Sequence, residues 1–111
     1  MLQLTETERL WLDAYRKALE EKHPGAVHEM LIYGSKARGQ AHSESDLDVL
    51  LIVKNEAKRF KRTLRRVGYM MAATSDVLPS IIAYTKDEWE SRKRSGSSFR
   101  QAVDRDGVRV T

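Results

Sequence analysis

A chain of 111 residues with 41% hydrophobic and 32% charged residues has the make-up of one globular domain, spanning 1–111, with room for a single core and none for a second domain. It contains no cysteine, which excludes disulfides, thiolate metal sites and cysteine nucleophiles and fits a reducing, cytoplasmic compartment. No apolar run approaches the roughly 20 residues that cross a bilayer, the N-terminus is acidic where a signal peptide is basic, and the net charge of +4 suits an anionic ligand without demanding one.

The first predicted element runs from Thr5 to Lys22. Leu10, Trp11, Ala14, Tyr15, Ala18 and Leu19 recur at helical spacing, while Glu6, Arg9, Asp13, Arg16, Lys17, Glu20 and Glu21 take the other face. Thr5 and Glu8 stand at capping-box spacing, and Lys22 followed by Pro24-Gly25 supplies a closing cation and a breaker. Such a helix ordinarily packs on a core; its two aromatics also suit a partner surface.

From Ala26 to Tyr33 the chain becomes apolar and is stopped by Gly34, which predicts a strand of about six residues. Ser35 to Arg38 has the length of one helical turn, and Gly39 is free to take a positive φ and reverse the chain. After a polar loop, Gln40 to Ser45, the run Leu47 to Val53 is almost wholly β-branched and aliphatic. That is the composition of a central strand covered by helices on both faces.

A second helix is predicted over Asn55 to Met71, with Ala57, Phe60, Leu64, Val67 and Met71 as its apolar stripe. Lys58, Arg59, Lys61, Arg62, Arg65 and Arg66 crowd the rest. This face suits solvated stems covering apolar surface, or a contact for RNA, nucleotide phosphate or an acidic partner. No aromatic residue interleaves the basic ones to stack bases, so nucleic acid is the lesser of these readings. Val77 to Tyr84 reads as a further strand, with Pro79 arguing for an edge or a bulge. Thr85 or Lys86 begins a short helix, Asp87 to Arg94, carrying Trp89. Ser95-Gly96-Ser97-Ser98 breaks it, Phe99, Ala102 and Val103 form one helical face up to Gly107, and Val108-Arg109-Val110 is a last edge strand or a frayed end.

Two pieces of this order carry chemistry. Asp46 and Asp48, at i and i+2, point to one side of a strand. Two like charges about 4 Å apart repel by roughly 4 kcal/mol at an effective dielectric near 20, so an ionised pair favours a divalent cation between them. Oxygen donors without cysteine or clustered histidine select magnesium or manganese over zinc; His23, His28 and His42 have no ligand spacing. By itself an Asp-x-Asp equally caps or solvates a strand end. Gly34 and Ser35, at a strand-to-helical-turn junction, offer free backbone N–H groups, a hydroxyl and close approach to a phosphate. By itself a Gly-Ser pair is an ordinary turn. No Gly-Lys-Ser/Thr follows as in a P-loop, and Gly34 and Gly39 have the wrong spacing for a dinucleotide fingerprint.

Together, Gly34-Ser35, ten intervening residues and Asp46-Leu47-Asp48 resemble the signature of the polymerase-beta-like nucleotidyltransferases. The run GSKARGQAHSESDLDVLLIV is similar to that of their minimal single-domain branch. The resemblance implies an α/β (α+β) fold with a small mixed sheet flanked by helices. It also implies a nucleoside triphosphate donor, ATP above others, with Mg²⁺ as two ions or Mn²⁺ in its place, and transfer of a nucleoside monophosphate to a hydroxyl. Carried over by position, Gly34 and Ser35 hold the triphosphate, Lys36 and Arg38 are further phosphate contacts, and Asp46 and Asp48 bind the metals. A third carboxylate, on a neighbouring strand, is matched best by Asp76, which equally fits a turn cap after Thr74-Ser75. Many minimal members pair with a HEPN-domain protein as toxin and antitoxin, so such a partner is expected and a membrane is not.

Overall fold

The computed structural model describes residues 1–42 and 45–110; Ser43, Glu44 and Thr111, and with them the middle of the loop expected over Gln40 to Ser45, lie outside the described residues. The elements follow in the order α1 (Glu6–Lys22), β1 (Val27–Tyr33), α2 (Ser35–Arg38), β2 (Leu47–Val53), a 3-10 helix (Asn55–Phe60), α3 (Lys61–Ala72), β3 (Pro79–Thr85), α4 (Lys86–Arg94), α5 (Ser98–Asp106) and β4 (Val108–Arg109). The strands form one mixed sheet in the order β3-β2-β1-β4. Strand β2 is parallel to β3, and β1 is antiparallel to both β2 and β4.

The aliphatic run predicted to be central is the second strand, and it is buried along its whole length except at Asp48. Because side chains alternate, Leu47, Val49, Leu51 and Val53 enter a core shared with Trp11, Tyr15 and Leu64 of α1 and α3. Leu50 and Ile52 enter a smaller one with Trp89 and Val103 of α4 and α5. Each such aliphatic side chain contributes about 1.5–3 kcal/mol on burial. A one-residue slip would exchange the two sets and expose neither to water, but it would drive Asp48 into the larger core, so the carboxylate pins the register.

Helix α1 opens on the predicted capping box: the Thr5 hydroxyl accepts the Glu8 N–H at 3.1 Å and the Glu8 carboxylate accepts the Thr5 N–H at 2.9 Å. It is held to α3 by two buried bonds, Tyr15 Oη donating to the Leu64 carbonyl at 2.7 Å and Trp11 Nε1 donating to that of Gly68 at 3.1 Å. Gly68 is what permits that closeness, since a Cβ there would meet Ile81 Cδ1 at 2.6 Å and Tyr15 Cζ at 2.8 Å.

Two predicted elements change. The helix expected over Asn55 to Met71 is divided into a 3-10 segment and α3, joined at Phe60 with φ −95° and ψ 0°. Its start is fixed from outside: Asn55 Oδ1 accepts the Asp87 N–H at 3.0 Å, and Phe60 lies against His23 with ring centroids 5.7 Å apart. The strand expected over Val77 to Tyr84 begins at Pro79 and ends at Thr85. Proline has no N–H to donate and is tolerated at the first residue of an edge strand, while Val77 stays in the turn with its N–H on Ser75 Oγ at 3.3 Å. Thr85 then caps α4 through a second capping box, with Glu88. Among the described residues no helix is long and apolar enough to cross a membrane.

Candidate active site

The end of β1 and the start of β2 are neighbours in the antiparallel pair, Tyr33 facing Asp48. The turn leaving β1 is therefore folded back over the carboxylates entering β2. Gly34 makes this possible twice over. Its φ of +75° and ψ of −156° lie outside the regions L-residues favour. A Cβ built on it would overlap Asp48 Oδ2 and approach Asp48 Cγ to 3.2 Å. Only glycine lets the backbone sit against that carboxylate.

Ser35 to Arg38 form the single helical turn predicted, and Gly39 closes it in the left-handed region at φ +71°. The Arg38 N–H bonds back to the Gly34 carbonyl at 3.2 Å and the Gln40 N–H to that of Ser35 at 2.9 Å. The N–H groups of Ser35, Lys36 and Ala37 precede the first closed turn, and such groups have no partner within their own helix. The N-terminal segment ties this turn down from outside: the Gln3 N–H donates to the Lys36 carbonyl at 2.8 Å and Gln3 Oε1 accepts the Ala41 N–H at 3.3 Å.

Asp46 is exposed just before β2, and Asp48 is half-buried within it. Burial pushes the Asp48 carboxyl above the usual carboxylate range, the Asp46 charge adds to this, and the Arg38 guanidinium opposes it. In the parallel β2–β3 pair Asp48 faces Ser80, so Tyr33, Asp48 and Ser80 form one row across three strands on the α4/α5 side of the sheet. Burial first, and then the Asp48 charge, raise the Tyr33 phenol to about 12, so it remains a neutral hydroxyl beside the carboxylate. Neither Tyr33 nor Ser80 was marked by the sequence. Tyr33 reads there as the last core residue of a strand, and Ser80 acquires its place only through a register between distant segments.

The other candidates fall differently. Lys36, expected to contact phosphate, is paired with α1 in this structure: its side chain is 8% exposed and Nζ lies 2.9–3.0 Å from both Glu8 carboxylate oxygens, whose side chain is 9% exposed. Its charge is used to bolt the turn to the first turn of α1. Arg38 is exposed, donates from Nε to Gln40 Oε1 at 3.1 Å, and its charge reaches both Asp48 and Asp106. Asp76 lies exposed in the turn between α3 and β3, three residues before the strand begins at Pro79. It is not gathered with Asp46 and Asp48: among the described residues no three His, Cys, Asp or Glu side chains form a group able to hold a metal.

The position a neighbouring strand offers to Asp48 is thus filled by a hydroxyl. Two carboxylates remain, beside a turn whose backbone approaches one of them without a side chain between. The family model for the nucleotidyltransferase domain matches residues 12–102, which contain Gly34, Ser35, Asp46, Asp48 and Ser80. The chain belongs to the nucleotidyltransferase domain family. Among solved structures it is similar to a Sulfolobus solfataricus protein provisionally assigned as a nucleotidyltransferase and determined at 1.40 Å, with a TM-score of 0.54 and 22% identity over 90% of this chain and 76% of that one. At that identity the likeness establishes the fold, a small mixed sheet flanked by helices. No curated protein matches the chain.

Nucleotidyltransferase domains generally use a nucleoside triphosphate and a divalent cation. The donor set of this domain fits such an ion. Asp46 and Asp48 supply hard carboxylate oxygens, and a magnesium-type cation is commonly held by one or two carboxylates with substrate phosphates and water completing its shell. With no side chain at Gly34, the backbone of the turn lies directly against the Asp48 carboxylate.

Proposed function

We propose that this domain transfers AMP from ATP to a hydroxyl on a protein partner, a HEPN-domain toxin for which it is the antitoxin. The observation that carries the reading is the close approach of the Gly34 backbone to the Asp48 carboxylate, which sets a turn with N–H groups unused by its own helix beside the carboxylate pair. In this reading the main chain of Gly34 and Ser35 and the Ser35 hydroxyl hold the triphosphate. Asp46 and Asp48 hold Mg²⁺, as two ions or with Mn²⁺ in its place, and Arg38 meets the anion at the mouth of the site. The bound cation supplies charge neutralisation for the triphosphate. The partner's hydroxyl oxygen forms a bond to the α-phosphorus, the bond from that phosphorus to the bridging oxygen of pyrophosphate breaks, and the hydroxyl proton passes to a base. A carboxylate accepting it directly would have to lie about 3 Å from the hydroxyl.

The placement of Asp76 favours a second reading. With two carboxylates gathered and Ser80 in the facing position, nucleotide binding survives while transfer is slow, and the protein neutralises its partner by contact.

Mass spectrometry of the partner after incubation with ATP and Mg²⁺ separates the two. The first reading expects a gain of one or more AMP groups, abolished by Asp46→Asn and reduced by Asp76→Asn. Transfer that is undiminished by Asp76→Asn would assign the proton to another acceptor. Neutralisation without mass change, equally good with Asp46→Asn, would establish the second.

A further inference from the structure

The positive charge of this protein is concentrated on one segment. Residues 54–72 carry seven lysines and arginines against one glutamate, a net +6, so with the whole chain at +4 the remainder is −2. Part of that charge is matched: Lys61 lies 2.8 Å from Glu88, Lys58 3.9 Å from the same carboxylate, and Arg59 rests over the Phe60 ring. Arg62, Arg65 and Arg66 form no ion pair or side-chain hydrogen bond among the described residues.

Those three arginines and Tyr69 stand at i, i+3, i+4 and i+7 of α3, which is one face of a helix. They line one open groove of about 330 Å³. Tyr69 is 42% exposed, yet its position is fixed, because its hydroxyl accepts the Ile81 N–H at 2.7 Å. The ring is therefore held beside the outer edge of β3, one residue from Ser80, the neighbour of Asp48. Arg65 Nε is shielded from solvent and has no acceptor.

We infer that this groove binds single-stranded nucleic acid. Unpaired guanidiniums on a helical stripe track a phosphodiester backbone, and a fixed, partly exposed aromatic ring gives a base a face to stack on. The sequence shows the basic residues without the aromatic; the fold adds it, by winding Tyr69 onto their face. An acidic protein surface would satisfy the arginines but make no use of the ring's exposed face, which decides between these occupants. The site is distinct from the carboxylates and needs neither cation nor nucleotide.

Fluorescence anisotropy with a short labelled oligouridylate, in EDTA, tests the inference independently of catalysis. Binding should weaken with salt, log K falling with log[salt] by about 0.7 per phosphate contact. Arg62→Ala and Arg66→Ala, both exposed substitutions, should each lower that slope by one contact. Tyr69→Ala should weaken binding about tenfold through lost stacking. Tyr69→Phe keeps the ring and should retain most of the affinity, which separates stacking from damage to the β3 edge. Asp46→Asn should bind as wild type, so failure of the nucleotidyl-transfer reading would leave this result standing. Binding that is absent, or unchanged in an Arg62→Ala/Arg66→Ala variant, overturns the proposal. So does an oligoglutamate that competes as well as the oligonucleotide.

Discussion

Gly34 is the residue on which the site turns, and it is needed for two separable reasons. Alanine would be forced into a backbone region costing on the order of 1–3 kcal/mol. Its Cβ would also push the Asp48 carboxylate away, a movement that costs the fold little because a side-chain end can swing. Gly34→Ala is therefore expected to lose about 1–3 kcal/mol of stability in urea unfolding and, more than proportionately, its Mg²⁺-dependent ATP binding by calorimetry. If binding survives at the wild-type level in the folded variant, the close approach of turn and carboxylate is not what holds the nucleotide. At this scale the sequence was legible where chemistry is local. A Gly-Ser turn and an Asp-x-Asp pair announce themselves by residue type, and the left-handed Gly39 follows from the need to reverse the chain. It was not legible for Lys36, since nothing near position 36 says that its ammonium will be claimed by Glu8, 28 residues earlier.

At the scale of elements, that claim fastens α1 to the turn carrying Gly34 and Ser35. A buried ion pair adds little relative to a well-packed apolar pair, but removing one partner strands the other and costs about 3–5 kcal/mol. Lys36→Met should lower stability by about that amount and weaken ATP binding by loosening the turn, whereas Glu8→Gln/Lys36→Met should recover much of the stability. Equal stability of the single variant and wild type in denaturant titration would show that the pair does not anchor the turn. The contact of α1, α3 and β3 makes a different prediction at Gly68. On an exposed helix, glycine to alanine gains up to about 1 kcal/mol. Here the added methyl meets Ile81 and Tyr15, and overpacking of this kind costs about 1–3 kcal/mol. Gly68→Ala is thus expected to lower the melting temperature, and an increase would mean that α1 yields. Element boundaries were read well where caps and composition agree, as at Thr5, Lys22 and Leu47 to Val53. They were misread where a distant element intervenes: α4 fixes Asn55, and pairing with β2 sets the start of β3.

Over the whole molecule, one face of the sheet is closed by α1 and α3, while α4 and α5 cover the other only around Leu50 and Ile52, leaving the row with Asp48 beside the turn. The consequence is a linkage between proton, cation and stability. Because the Asp48 carboxyl is raised by burial and by Asp46, the folded protein holds this proton more tightly than the unfolded chain does. Its contribution favours the folded state at low pH and is lost as pH rises through the raised value, so at neutral pH the ionised pair works against the fold. Asp48→Asn should therefore melt higher than wild type at neutral pH without ligand. Mg²⁺ and ATP at about a hundred times their dissociation constant should stabilise wild type by about 2.7 kcal/mol, a rise in melting temperature on the order of 10 °C for a domain of this size. That rise should shrink as the pH falls through the region just above the usual carboxylate range, where Asp48 takes up its proton, and should be nearly absent in Asp48→Asn and in EDTA. Melting curves collected over that pH range decide the matter: a shift that is independent of pH, or equal in the variant, would mean that the ligand is held by groups other than this carboxylate pair.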